Sequence, residues 1–270
     1  MNITRLLYGL AGFRRSQSRA ASDRRSRLFL PQIDPRHVLY AIGDVHGCLK
    51  ALRAAELCIF ADLARQNRAG TIVLLGDYVD RGPHSAQVIE HLRQPTPPSV
   101  QRIALCGNHD DLFLRFLRRP EKHRHWLEMG GDKTLRSYGI DATKLLHSGG
   151  LPALSEAMLR LIPSDHVDFL AGLPVFLAYG QHLFVHAGIR PSIPLEDQTE
   201  EDLLWIREPF LSTGPGLPVT VVHGHTVVKE PIFAEGRIGI DTGCYRSGRL
   251  TVLKLQENTV DFLPVPPSGE

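Results

Sequence analysis

Six side chains able to ligate a metal ion, Asp44, His46, Asp77, Asn108, His186 and His225, fall at or just past the ends of short β-rich runs. Singly they say little. An Asp after a strand is ordinarily a turn former, and a lone His ordinarily packs in a core or sits on a surface. Their joint occurrence points to chemistry. A site for two metal ions needs several ligands on rigid elements, with a carboxylate able to bridge. Strand ends fix such ligands, and the neighbouring Gly43, Gly76 and Gly107 let backbone and ion approach closely. Imidazole mixed with carboxylate suits two divalent ions, Mn2+ first, with Fe or Zn as options; an all-oxygen shell would suit Mg or Ca. Two ions about 3.5–4 Å apart clamp a phosphoryl group and lower the pKa of a bound water towards ~7.

The elements that must position these residues read as strand, loop and helix three times over. Strand runs at 37–42, 71–75 and 102–106 each end in a polar, glycine-containing loop, with helical spacing at 49–66, 83–92 and 112–117. Open α/β sheets present ligands in this way, at the carboxyl ends of their strands. Residues 121–172 change character and predict a helical cap insertion. Beyond it short β-rich runs dominate, at 175–178, 182–186, 219–223, 232–234, 238–240, 250–255 and 260–263. The layout predicts an α/β fold in which two packed β-sheets are flanked by helices, with the small cap added. One domain is expected over 36–264, a basic, disordered tail over 1–35 and a frayed C-terminus at 265–270.

Three blocks carry a family resemblance: Gly43-Asp44-Val45-His46-Gly47, Gly76-Asp77-Tyr78-Val79-Asp80-Arg81-Gly82 and Gly107-Asn108-His109-Asp110. Later matches are Val185-His186-Ala187-Gly188, Gly224-His225-Thr226 and Ile240-Asp241-Thr242-Gly243. Together they resemble the phosphoprotein phosphatase family of calcineurin-like metallophosphoesterases, over nearly all of 38–255. Trp126-Leu127 with Gly130-Gly131, and Leu204-Trp205-Ile206-Arg207-Glu208, look like the bacterial and phage-lambda-type serine/threonine phosphatase branch. The resemblance implies that Asp44 and His46 bind a first ion, that Asp77 bridges, and that Asn108, His186 and His225 complete the second. It implies that Arg81 and Arg207, with Asn108, grip phosphate oxygens, and that His109, held by Asp80, protonates the leaving group. The match to Gly-His-Thr selects His225 over His223, which reads as a core-facing strand residue. Hydrolysis is then expected by direct attack of a metal-bridging hydroxide, with no phosphoenzyme.

Two substrate classes compete. The branch resemblance favours a serine/threonine protein phosphatase acting on phosphoproteins or small phosphoesters, and Asp80 in Val-Asp-Arg agrees with it. Asp110 in Gly-Asn-His-Asp and the run Arg81-Gly82-Pro83-His84-Ser85 lean towards a related branch. Members of that branch split diadenosine tetraphosphate symmetrically and remove nucleoside caps from RNA. A non-catalytic, tail-tethered interaction protein is a third reading, which the intact ligand set disfavours.

Composition frames these readings. The net charge of +2 hides a tail, residues 1–27, with seven Arg and a single acid, on an acidic remainder. Such a tail is expected to meet anionic surfaces. The rest has no basic stripe with interleaved aromatics, so no specific nucleic-acid binding is predicted. Four Cys without metal or disulfide spacing suggest a reducing, cytoplasmic setting. Asp44→Asn and His109→Asn are expected to lower turnover by orders of magnitude while leaving the protein folded. Near-normal rates in both would refute the assignment.

Overall fold

A computed structural model describes residues 24–30, 37–257 and 259–267. In chain order the strands are β1 (Arg27–Leu30), β2 (Val38–Ile42), β3 (Gly70–Leu74), β4 (Val100–Ala104), β5 (Phe176–Tyr179), β6 (His182–Val185), β7 (Thr220–His223), β8 (Ile232–Ala234), β9 (Arg237–Gly239), β10 (Val252–Gln256) and β11 (Thr259–Phe262). The helices are α1 (Leu49–Gln66), α2 (Ser85–Arg93), α3 (Asn108–Arg118), α4 (Gly131–Ser137), α5 (Ala142–Leu161), α6 (Ser164–Ala171), α7 (Glu200–Trp205), α8 (Phe210–Thr213) and α9 (Cys244–Ser247).

The strands form two sheets, ordered β11-β10-β2-β3-β4 and β1-β5-β6-β7-β9-β8. Side-chain alternation explains their stacking. Leu39, Ala41, Val73 and Ile103 of the first sheet meet Leu177, Phe184, Val222 and Ile238 of the second. On the other face of the first sheet, Val38, Tyr40, Ile42, Ile72 and Leu74 pack with Leu52 and Ile59 of α1 and Val88 and Ile89 of α2. Phe176, Leu183, Val185 and Val221 of the second sheet are covered by Leu203 of α7 and Phe210 of α8. The result is helix, sheet, sheet, helix, as the sequence predicts. Buried Asp62 fixes α1 on its sheet, accepting hydrogen bonds from Tyr40 Oη on β2 (2.7 Å) and Lys254 Nζ on β10 (2.6 Å).

Two parallel triplets matter for function. β2, β3 and β4 run parallel, and so do β6, β7 and β9. Each triplet therefore brings its carboxyl ends to one edge of its sheet. The segment expected as a cap holds helices and turns and no strand: a 3-10 turn at Arg124–Leu127 leads into α4, α5 and α6, with α5 broken at Gly150 (φ 68°). Among the described residues no helix is long and apolar enough to cross a membrane.

The tail boundary expected at residue 35 needs correction. Residues Arg27–Leu30 form an edge strand paired parallel to β5, with Arg27 opposite Phe176. Arg25 donates to the carbonyl of Leu170 (2.8 Å) and to Asp111 Oδ1 (3.2 Å). Arg27 donates to the carbonyls of Leu195 (3.0 Å), Glu196 (2.6 Å) and Gln198. Two charges of the basic run thus satisfy backbone acceptors of the fold itself. Val265, expected in a frayed end, packs half-buried against the helix-side core. The remaining tail, residues 1–23, and its expected contact with anionic surfaces lie outside the described residues, as do residues 268–270. Arg25→Ala is expected to lower stability by about 1–3 kcal/mol, because the carbonyls of Leu170, Ala171 and Leu173 lose a donor, while Asp111 keeps only Arg115. Urea unfolding checks this, and an unchanged midpoint would contradict it.

Candidate metal centre

Each candidate ligand stands where a parallel strand ends. β2 leads into Asp44 and His46, β3 into Asp77 and β4 into Asn108; β6 leads into His186 and β7 into His225. Helix α3 opens at Asn108, so Asn108 and His109 occupy its first turn beside Asp77, and the His109 N–H donates to Asp77 Oδ1 (2.9 Å). The backbone is strained here. His46, Asp77, Asp80, Arg81 and His225 all have positive φ, between 44° and 72°, which non-glycine residues seldom adopt. Strain of this kind costs of order 1–3 kcal/mol per residue and persists only where surrounding contacts impose it.

Asp77 lies at the centre. Its Oδ2 is 3.4 Å from His46 Nε2 and its Oδ1 3.5 Å from His186 Nε2, so one buried carboxylate spans two imidazoles. Ligand atoms of Asp44, Asp77 and His186 lie within 4.8 Å of one another, as do those of His46, Asp77 and His109. Second partners fix the rings. His46 Nδ1 donates to the Val79 carbonyl (2.8 Å) and His186 Nδ1 to the Leu75 carbonyl (2.9 Å), which leaves each Nε2 as a lone pair turned inward. His186 Nε2 and Asn108 Oδ1, both acceptors in this tautomer, stand only 2.7 Å apart, and His225 Nδ1 is 2.9 Å from the same oxygen, a crowding of lone pairs that a bound cation relieves. The Nε2 atoms of His46 and His225 are buried without a hydrogen-bond partner. Burial pushes the His46 pKa down to about 3 and that of His225 to about 2, so both rings are neutral. Burial, with Asp241 and Asp77 close by, pushes Asp44 well above the usual carboxylate range. Unpartnered imidazole nitrogens facing crowded carboxylates fit divalent cations, which accept those lone pairs and offset that charge.

Beside this cluster lies a second one. His109 Nδ1 donates to Asp80 Oδ2 (2.7 Å), while its Nε2 accepts from Arg81 Nη2 (3.0 Å). Burial alone would lower the His109 pKa, but Asp77 and Asp80 outweigh it and raise it. The Arg81 guanidinium beside Nε2 opposes a cation on that atom, which separates His109 from the other inward-facing His residues. Arg81 also lies over the Tyr245 ring, 4.8 Å from its centroid, and Tyr245 meets His46 edge-on at 5.4 Å. Arg207 is exposed and near enough for its charge to act on His225. The structure therefore brings the sequence-selected residues together, with Arg207 on the rim rather than in contact with Arg81. His223 is 1% exposed, packs edge-on against Phe210 at 5.2 Å and serves as a core residue.

Sequence reasoning missed the supports of this site. Trp126 Nε1 donates to Asp80 Oδ2 (2.8 Å) and Thr134 Oγ1 to Asp80 Oδ1 (2.7 Å), so two cap residues hold the carboxylate that holds His109. Asp110 accepts from the backbone N–H groups of Asp77, Tyr78 and Gly107 at 2.8, 2.9 and 2.9 Å. The signal for Asp110 was its place in the Gly-Asn-His-Asp block. For Trp126 and Thr134 the signal was only the likeness of Trp126-Leu127 to a family motif.

The chain belongs to the calcineurin-like phosphoesterase family, whose model matches residues 37–263. It is 28% identical over 240 residues to the bis(5'-nucleosyl)-tetraphosphatase PrpE (asymmetrical) of Oceanobacillus iheyensis, covering 80% of this chain and 88% of the relative. The protein of the same name from Geobacillus thermodenitrificans is 28% identical over 244 residues, 83% of this chain and 92% of the relative. Among solved structures, a candidate diadenosine tetraphosphatase superposes with a TM-score of 0.61 at 21% identity, over 90% of this chain and 99% of the other. A serine/threonine phosphatase from Saccharomyces cerevisiae follows at a TM-score of 0.52 and 13% identity, over 90% and 84%, which speaks for the fold alone. Of the resemblance read from the motifs, the calcineurin-like phosphoesterase family holds. These two curated relatives carry the tetraphosphatase name, not that of the phage-lambda-type branch.

Metal-stripped protein is expected to bind two Mn2+ per chain by calorimetry. Asp77→Asn should weaken both sites, because one carboxylate serves the two; loss of a single site would argue against bridging.

Proposed function

We propose that this protein is a two-metal hydrolase of dinucleoside polyphosphates. The observation that carries the chemistry is the position of Asp77 between the inward-facing Nε2 atoms of His46 and His186. The substrate class is supported by relatives named bis(5'-nucleosyl)-tetraphosphatases, which match over most of both chains. In this reading Asp44, His46 and Asp77 hold one ion, while Asp77, Asn108, His186 and His225 hold the other. Bound there, the ions supply Lewis acidity and a water that is nucleophilic at neutral pH.

The remaining residues handle the substrate. Arg81 leaves His109 Nε2 for a phosphate oxygen, since a guanidinium binds an anion more strongly than a neutral ring. That frees Nε2 to carry the proton that the departing group receives. Asp80 orients the His109 ring through Nδ1 and stabilises its charged form. Arg207, on the rim, meets phosphates further along the chain. Four free thiols suit a cytoplasmic enzyme.

The relatives are named for asymmetrical cleavage, so the symmetrical mode expected from the motifs gives way here to cleavage into ATP and AMP. The second reading, a serine/threonine phosphatase, rests on the His109–Asp80 pair. A seryl alkoxide leaves badly and needs a positioned proton donor more than a nucleoside phosphate does. With Mn2+ and equal enzyme, diadenosine tetraphosphate should turn over at least about tenfold faster than a phosphoserine peptide, with AMP and ATP resolved by chromatography. Faster peptide hydrolysis would select the second reading, and ADP as the sole product would restore the symmetrical mode.

A further inference from the structure

One residue of the family-like blocks has no part in this scheme. Asp241 follows β9 as Asp77 follows β3, and β9 is the third member of the parallel triplet whose other strands deliver His186 and His225. Its backbone is fixed: the Val228 N–H donates to its carbonyl (2.9 Å), and the Gly243 N–H donates to its Oδ1 (2.9 Å). The side chain is buried, and Oδ2 has no hydrogen-bond partner. Its carboxyl group lies close enough to that of Asp44 for each to act on the charge of the other. Gly43 permits that approach, since a Cβ there would stand 2.6 Å from the Ile240 carbonyl oxygen. Asp44 receives its backbone donor from the His225 N–H at 3.1–3.2 Å, so that donor is not available to Asp241. Two buried carboxyl groups side by side, one with an unpartnered oxygen, must hold either a proton or a cation, and a divalent ion against both displaces the proton.

The geometry points to Asp241 as a further ligand residue of the first metal position, taking up its cation alongside Asp44. Each strand of the two parallel triplets then ends in a residue directed to the metals: Asp44 and His46, Asp77, and Asn108 from one sheet, and His186, His225 and Asp241 from the other. A third carboxylate makes the first position harder and more anionic than the second, with its His186 and His225 nitrogens. That favours oxygen-preferring divalent ions there.

The inference rests on the two-metal reading, and its test keeps the two separable. Wild-type and Asp241→Asn proteins are stripped of metal and titrated with Mn2+ by calorimetry, and their melting temperatures are measured with and without Mn2+. The expected result is two sites in the wild type and, in the variant, about a tenfold to hundredfold loss of affinity at one of them. The metal-free variant should melt no lower than the metal-free wild type, because the amide keeps the shape of the side chain and removes one buried ionisable group. Wild-type affinity at both sites of the variant overturns the role of Asp241, and a wild type that binds fewer than two ions overturns the two-metal reading. Anomalous scattering from Mn2+-soaked wild-type crystals decides the matter without a variant. An ion in direct or one-water reach of an Asp241 oxygen supports the role, and an ion beyond that reach overturns it.

Discussion

Three hydrogen bonds to one carboxylate hold the centre together. Asp110 takes the N–H groups of Gly107, Asp77 and Tyr78, so the loop leaving β3 and the loop leaving β4 are tied to the same two oxygens. Without that tie Asp77 has little reason to stay in its left-handed backbone conformation, and its carboxylate would not span His46 and His186. Asp110 sits in the first turn of α3, where the helix terminus also favours negative charge. A residue outside the candidate ligand set thus sets the position of the carboxylate at its centre.

The two sheets divide the labour. The first supplies Asp44, His46, Asp77 and Asn108 from adjacent parallel strands, and the second supplies His186 and His225 from another adjacent pair. Face-to-face packing through Leu39, Ala41, Val73, Phe184 and Val222 brings the two sets of strand ends together. The apolar core between the sheets therefore fixes how the two sets of ligands meet. A core substitution that shifts one sheet along the other would alter the centre without touching a ligand.

Much of this was legible in the sequence because the signals were local. Helix α1 occupies 49–66 as its spacing predicts, and the strands that the sequence predicts lie within two residues of their expected bounds. The ligands could be read because each sits beside a glycine or within a short polar block at a strand end. β1 could not, because four residues among arginines resemble solvated charge until β5 lies beside them and Arg25 and Arg27 find carbonyl acceptors. The contacts of Trp126 and Thr134 with Asp80 cross 46 and 54 residues and leave no periodic trace. Helix α2 was predicted from Pro83, but it begins at Ser85, because Gly82 is held against the His46 carbonyl. The substrate branch was the least legible feature, since Asp80 and Asp110 pull the motif comparison in opposite directions.

Trp126 and Thr134 give the inserted helices a second meaning. The Trp126 ring stacks on Phe113 of α3 at 5.1 Å and lies 4.7 Å from Phe116, while its nitrogen ends on Asp80. The insertion is thereby keyed into the wall of the reaction chamber rather than hinged above it. Its outer surface is open to remodelling, whereas its inner surface holds the Asp80–His109 pair in place. A designer exchanging this lobe for another must carry an indole and a hydroxyl across with it, or Asp80 and the imidazole it holds will lose their alignment.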